Sequence, residues 1–407
     1  MMSSNRQASA ARQSRDHPVV LGSGVMPFNR YRDGSHWRDW VRRAAFDAIH
    51  DAGIEQKDID AVVVASETDF CSLQVNPAPV VLDELGLAGV AAVRVEAGGA
   101  SGAAALRTAV HQIRAGAAKC VLVVGFDAAA GHLRAEDVQL VYSMSFDAET
   151  DGLAGATAVT LYALSMAEHM GIHQTTAEQM AAVSVKNHGN AIGNPWAHKP
   201  MDITVQDVLA SPMIAAPYHK LDCSMASDGA AAIVLAHADS APEASEPRSR
   251  IIASTAATDR ARLGDRAARH QFAAKRQAAL AAYNEAGITD PASEIHVAEV
   301  YDAFTGAEIQ GIEALGLAEP GKAGPALASG TFDRAGDLPV NLSGGLIGQG
   351  GAPGAVGIAQ AATIDRVLTG RYRPDTTAAR DYRLGLVDTH GGLCTTSIVH
   401  LMERVEP

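Results

Sequence analysis

Apolar residues in this chain fall into short uninterrupted runs that alternate with stretches of helical spacing. The first run, PVVLGSGV from Pro18, reads as a buried strand closed by glycines. In WVRRAAFDAIHDAGI, which follows, Val41, Ala44, Ala45, Ala48 and Ile49 recur at the three- and four-residue intervals of one helix face. A second strand, Ile59 to Ala65, comes next. Strand, helix and strand in so short a span predict a βαβ unit and a parallel sheet.

The phrase then recurs. AFDAIHDAGIEQKDIDAVVVASE, from Ala45, resembles ALAAYNEAGITDPASEIHVAEVYDAF, from Ala279: an Ala-rich helix, an Ala-Gly-Ile end, a polar loop and an apolar strand. In both, the glycine, Gly53 or Gly287, suits the left-handed position that closes a helix. A second pair, SGAAALRTAVHQIRAGAAKCVLVVG and GAVGIAQAATIDRVLTGRY with the later RLGLVDTHGG, runs from a Gly-rich turn through a helix towards a strand. The pattern predicts two copies of one α/β unit, residues 18–245 and 250–407. Their boundary is HADSAPEASEPRSR, residues 237–250, where Pro, Ser and charge replace the apolar pattern. Between the strands Val121–Gly125 and Ala230–Leu235 lies a Met- and His-containing insertion, about residues 127–220, of the kind that carries substrate loops.

Composition narrows the function classes. The chain has 407 residues, 47% hydrophobic, enough for a large core. A net charge of -13 spread along the sequence argues against nucleic acid or an anionic membrane as partner. The four cysteines, Cys71, Cys120, Cys223 and Cys394, are far apart, so neither a disulfide framework nor a zinc site is expected, and a reducing cytoplasm fits. Residues 1–17 are polar and read as a disordered tail without a signal core. Gly344, Gly345, Gly348, Gly350, Gly351 and Gly354 form no GxGxxG after a strand with an acidic partner downstream, which excludes a dinucleotide loop.

Four longer stretches carry a resemblance to a known family. They are VEAGGASGAAALRTAVHQIRAGAAKCVLVVG from Val95, NPWAHKPMDITVQDVLASPMIAAPYHKLDCSMASDGAAAIVL from Asn194, EVYDAFTGAEIQGIEALGL from Glu299 and LPVNLSGGLIGQGGAPGAVG from Leu338. In this order and spacing the chain resembles the thiolases, in particular their sterol-carrier-protein and lipid-transfer branch. The resemblance implies an α/β thiolase fold: two duplicated halves in a five-layered αβαβα arrangement with an inserted loop domain. It also implies an acyl-CoA substrate, no cofactor beyond that thioester, and a homodimer or heterodimer paired through the central strand of the first half, Cys120 to Gly125.

The same resemblance locates the chemistry and its losses. The family's nucleophilic cysteine, held at a helix N-terminus where the dipole favours a thiolate, corresponds to Gly99 in Gly99-Ala100-Ser101-Gly102. Its activating histidine corresponds to Gly351. Tyr301, in EVYDAF, stands at the His or Asn of the strand-end motif, and the last family position falls at Thr389 or His390. Cys223 matches a structural position, and Cys394 is expected to begin the final strand, CTTSIVHL. The remaining candidates are Tyr301, His390 and Cys394 for catalysis, with Gly99, Asn341, Ser343 and Gly344 for the oxyanion. Lys199 and Lys220, beside the insertion residues Asn194 to His198 and His219, are candidates for meeting a CoA phosphate.

Gly for Cys with Tyr in YDAFT resembles the retro-aldolases that cleave steroid side-chain β-hydroxyacyl-CoAs. Those use a second tyrosine at the position that is Gly351 here. Three readings follow: a retro-aldolase lyase, with Tyr301 as base or relay; a non-catalytic acyl-CoA-binding subunit; and a cysteine-independent Claisen or retro-Claisen acyltransferase. The resemblance further implies a separate zinc-ribbon and OB-fold partner, since this chain has no zinc-ligand spacing of its own.

Overall fold

Val19–Val25 forms strand β1, followed by helix α1 (Trp37–Ala52), β2 (Ala61–Ala65), β3 (Ala91–Val95), α2 (Ser101–Arg114) and β4 (Cys120–Ala128). This is a computed structural model describing residues 17–131, 133–244, 246–372 and 380–407, so the expected tail over 1–17 lies outside the described residues except for His17. The insertion after β4 is largely helical, dominated by α3 (Ala158–His173) and α4 (Ala177–Ala191), before β5 (Asp228–Ala236) closes the first copy. The second copy runs through β6 (Arg248–Thr258), α5 (Ala273–Ala286), β7 (Val297–Glu299), α6 (Thr305–Ala314), α7 (Pro353–Leu368), β8 (Leu384–Gly391) and β9 (Thr396–Val405).

Strand order exposes the duplication. The first copy is arranged β3-β2-β4-β5-β1, and β6-β9-β8-β7 continues it in the mirrored sequence. In each copy the strand after the outer helix runs parallel to its neighbour, β2 to β4 and β7 to β8, and the last two strands are antiparallel. A single pair, Val19 with Arg250, joins β1 to β6, so the nine strands are one hydrogen-bonded sheet whose two halves, one per copy, are called the first and second sheet. Val340 bridges Ala298 in parallel, in the place that β3 takes beside β2.

Layering follows from which face each element buries. Val41, Ala44, Ala45 and Ala48 of α1 pack on one face of the first sheet. Ala105, Leu106, Ala109 and Ile113 of α2 meet Ala355, Ile358, Ala359 and Ala362 of α7 between the two sheets. Ala278, Ala279 and Ala282 of α5, with Ile309 and Ile312 of α6, cover the second sheet from outside. That is the αβαβα order the resemblance implies. The central helices cross closely because a Cβ on Gly357 would lie 2.4 Å from the Ala103 nitrogen. Both outer helices end on a left-handed glycine, Gly53 at φ 64° and Gly287 at φ 73°.

Three sequence expectations need correction. β6 already begins at Arg248, so the link between the copies stops before residue 250. Cys394 does not begin a strand: it sits in a turn at φ 51°, and β9 starts at Thr396. Cys120 to Gly125 cannot pair with another chain, because β4 is hydrogen-bonded to β2 on one side and β5 on the other. The open edge of the first sheet is β3, whose first residues are exposed. No helix of the described residues is long and apolar enough to cross a membrane.

Candidate active site

The N-termini of the two central helices open on one cavity of about 740 Å³, lined by Gly99 two residues ahead of α2 and by Pro353 at the start of α7. Tyr301, just beyond β7, and His390, near the end of β8, reach it from the second copy, as strand ends in α/β proteins commonly do. Phe146, Val159, Phe304, Leu346 and Ile347 give it an apolar wall, and Lys199 and Lys220 also line it. Gly351 is on the lining, so both glycines expected to stand at family catalytic positions face the same space as Tyr301 and His390.

The space beside Gly99 is already filled. A Cβ built on Gly99 would lie 2.5 Å from the Tyr301 hydroxyl and 2.7 Å from the His390 carbonyl oxygen. The phenol therefore occupies the volume that a cysteine side chain would need, and the two residues are alternatives in one space. Around Gly351 there is more room, the nearest atom to such a Cβ being the Met225 carbonyl at 3.2 Å.

Tyr301 is held from behind. Its backbone N–H donates to Asp388 Oδ2 at 3.2 Å, and that carboxylate forms a fully buried ion pair with Lys275 of α5. The rings of Tyr301 and His390 lie 4.5 Å apart between centroids. Burial, with the nearby Glu67 carboxyl, raises the Tyr301 phenol above its ordinary range, so it rests as a neutral hydroxyl.

His390 has a partner that sequence reasoning missed. Tyr162 of α3 places its hydroxyl 2.6 Å from His390 Nε2 and donates to the Gly392 carbonyl at 2.8 Å. With the phenol proton on Gly392, the hydrogen bonds assign Nε2–H as donor to Tyr162, and the Nδ1 lone pair has no partner. Burial, then the charges of Lys275 and Arg266, holds His390 well below the usual imidazole range, so it is a neutral base. No local pattern announces Tyr162, because its partner lies in the other copy.

Glu67 was also missed. It lines the cavity just beyond β2, with Oε1 accepting from Ser145 at 3.0 Å and Oε2 buried without a partner. Burial, reinforced by Asp127, raises its carboxyl to about 8, and Asp127 itself is raised to about 7 by burial. A signal for Glu67 existed in the repeat, since the interval that separates Gly53 from Gly287 also separates Glu67 from Tyr301.

The remaining expected residues are placed elsewhere. Asn341 accepts from the Val300 N–H at 2.7 Å and donates to Glu308 at 2.7 Å, while Ser343 donates to Glu299 at 2.5 Å. Both are fully buried, neither they nor Gly344 line the cavity, and their polar atoms are already committed. The expected oxyanion role for Asn341, Ser343 and Gly344 therefore has no geometric support. Thr389 is likewise turned away, bonded to Gln360 at 2.7 Å. Cys394 has no exposure, and burial pushes its thiol up to about 12, which makes it a poor nucleophile. Cys223 does line the cavity, but burial raises its thiol to about 12 as well. Asn194 is buried and donates to the Ser343 carbonyl at 2.7 Å, and His198 bonds Ser227 at 2.8 Å.

Comparison with known proteins agrees with this architecture. Residues 24–204 match the family described as thiolase, N-terminal domain, and residues 255–404 match thiolase C-terminal domain-like. An acetyl-CoA acetyltransferase of Methanothermobacter thermautotrophicus is 36% identical over 95% of this chain and 99% of its own length. Sterol carrier protein 2 of Oryctolagus cuniculus is 28% identical over 93% of this chain and 72% of its own. Among solved structures, an "Ltp2-ChsH2(DUF35) aldolase" superposes with a TM-score of 0.79 at 23% identity, covering 95% of this chain and 97% of that one.

Proposed function

This chain belongs to the thiolase family, and from that premise we propose that it is a cysteine-independent carbon–carbon lyase, a retro-aldolase acting on a β-hydroxyacyl-CoA with a bulky acyl group. The observation that carries the reading is the Tyr301 hydroxyl standing where a nucleophile's Cβ would be. Random loss of a cysteine would leave a gap at Gly99. Here the gap is filled by a proton-transferring group backed by a neutral imidazole.

In this reading the β-hydroxyl of the substrate meets Tyr301. Its proton passes to the phenol oxygen as the phenol proton moves to the His390 Nδ1 lone pair, a transfer that requires the two groups to close to hydrogen-bond distance when substrate binds, since they make no such bond at rest. The O–H electrons form the new C=O, the Cα–Cβ bond breaks, and its pair is carried into the thioester as an enolate. Gly99, at the positive end of the α2 dipole, is the place for that oxyanion. Glu67, protonated below about pH 8, supplies the proton that Cα takes up. The products are a ketone or aldehyde and a shortened acyl-CoA. Lys199 and Lys220 offer positive charge to the CoA phosphates.

The acyltransferase name of one relative keeps the Claisen alternative in view. Transfer through an acyl-cysteine would need a reactive thiol, and neither Cys394 nor Cys223 is one. The neighbouring aldolase is named as two components, which supports looking for a separate partner; the zinc-ribbon and OB-fold type comes from the resemblance, and a dimer belongs to the same proposal. The test is a panel of steroid and aromatic β-hydroxyacyl-CoAs, incubated with the chain alone and with a co-expressed partner of that type, with products read by mass spectrometry. Paired carbonyl and shortened acyl-CoA products are expected. Their absence in both arms overturns the lyase, and a covalent acyl adduct on a cysteine would replace it with acyl transfer.

A further inference from the structure

Among the described residues outside the cavity, one cluster of side chains has the composition of a metal site, against the expectation that this chain has no zinc-ligand spacing of its own. His169 and His173 lie one turn apart on α3, so their rings project from the same face. Glu313 of α6 meets them from the second copy, and donor atoms of all three lie within 4.8 Å of one another. None of the three lines the cavity.

We propose that His169, His173 and Glu313 bind a divalent transition cation of the zinc class. Two imidazoles and one carboxylate are the donor set of three-ligand zinc sites, which leave a fourth position to water. His169 Nε2 already lies 2.9 Å from Glu313 Oε2. At metal–ligand lengths of about 2.1 Å, tetrahedral donors stand about 3.4 Å apart, so no pair here needs to move by more than about 1.5 Å. The other ring nitrogen of His169 is 3.2 Å from the Thr175 hydroxyl, an outer contact that orients a ligand imidazole. His173 makes no hydrogen bond among the described residues, although its ring is packed against those of His169 and His270. The backbone closes over that ring: a Cβ on Gly321 would come 2.8 Å from His173 Nδ1. Three donors are thus converged and positioned, and one of them has no other use in the fold.

The consequence is mechanical. A cation here would clip the C-terminal end of α3 to α6, and α3 is the helix that carries Tyr162 to His390. The site would fasten the insertion to the second copy without touching substrate.

Untagged protein stripped with a chelator and titrated with Co²⁺ reads the site directly through visible d–d absorption, with Zn²⁺ calorimetry as the second measurement. One saturable equivalent is expected, with a rise in melting temperature on Zn²⁺ addition through binding to the folded state. His173→Ala, at a partly exposed position, should weaken binding at least about tenfold, and Glu313→Gln should do the same. His270→Ala, next to the cluster but outside the ligand set, should leave binding unchanged. Circular dichroism establishes that each variant is folded. No saturable binding at about 100 µM Co²⁺ in folded wild-type protein overturns the site, as does undiminished affinity in His173→Ala.

Discussion

Glu67 and Tyr301 are the same position in the two copies, and the protein treats them differently. Each follows the strand after the outer helix, and each donates its backbone N–H to an aspartate of the neighbouring strand, Glu67 to Asp127 and Tyr301 to Asp388, both at 3.2 Å. The outer helices differ. Lys275 on α5 neutralises Asp388, whereas the residue at the same repeat position on α1 is the buried Val41. In the first copy burial raises Glu67 to about 8, with Asp127 adding to the rise, and raises Asp127 to about 7, with the Arg94 charge opposing it. In the second copy burial raises Asp388 too, with Lys275 opposing the rise through the ion pair, and the position of Glu67 is taken by a neutral phenol. The outer helix thus contributes a buried cation to one strand end and an apolar side chain to the other.

The sharpest way to break this contrast is to remove the phenol. Tyr301→Phe deletes one oxygen that has no hydrogen-bond partner among the described residues, so stability should change little. Turnover of a cleavable β-hydroxyacyl-CoA should fall roughly 10²- to 10⁴-fold, the usual range for a positioned proton-transfer group. Measured kcat/KM equal to wild type would move the chemistry away from the second copy.

Next in size is the ion pair. Lys275→Met leaves Asp388 buried without its cation, at a cost of about 3–5 kcal/mol in denaturant unfolding. The double variant with Asp388→Asn should recover much of that loss. By comparison, Arg262→Ala, which breaks a solvent-screened surface bridge to Asp147, should change stability far less. Equal costs for Lys275 and Arg262 would mean that the buried pair does not distinguish the copies.

The duplication was legible because it is written in local signals: Ala-rich helices, left-handed glycines and apolar strands repeat at a constant interval. Gly99, Gly351, Tyr301 and His390 could be named from motifs, and the structure brings all four to one cavity. Asn341 and Ser343 could be named but not placed, since a polar residue in a Gly-rich turn serves a cavity or a buried network equally well. The outcome depended on Glu308 and Glu299, both distant in sequence. Tyr162 and Lys275 were illegible for the same reason, each meeting a partner in β8 more than a hundred residues away.

The proton stored by the first copy should be visible in the pH dependence of stability. Glu67 is raised from its ordinary value of 4.5 to about 8. The folded state therefore holds a proton that the unfolded chain has released, and its stabilising effect is present below about pH 4.5 and lost as pH rises through about 8. Between pH 6 and 8.5 wild-type protein should lose about 2–3 kcal/mol more stability than Glu67→Gln, which cannot titrate there. Asp127 contributes the same sign in both proteins and cancels in the difference. Parallel curves of melting temperature against pH would show that Glu67 is not protonated in the folded state.

The smallest effect tests whether Gly99 and Tyr301 changed together. A methyl group on Gly99 must push against the Tyr301 hydroxyl and the His390 carbonyl, and only the phenol can yield, since the carbonyl belongs to the β8 backbone. Gly99→Ala alone should cost about 1–3 kcal/mol through overpacking. In the Tyr301→Phe background the oxygen at 2.5 Å is gone while the carbonyl at 2.7 Å remains, so only part of the cost is relieved. A double-mutant cycle in urea should give a coupling of about 1 kcal/mol, with the second substitution cheaper in the presence of the first. Zero coupling would mean that the ring moves aside freely, and the phenol could then not be said to hold the place of a cysteine.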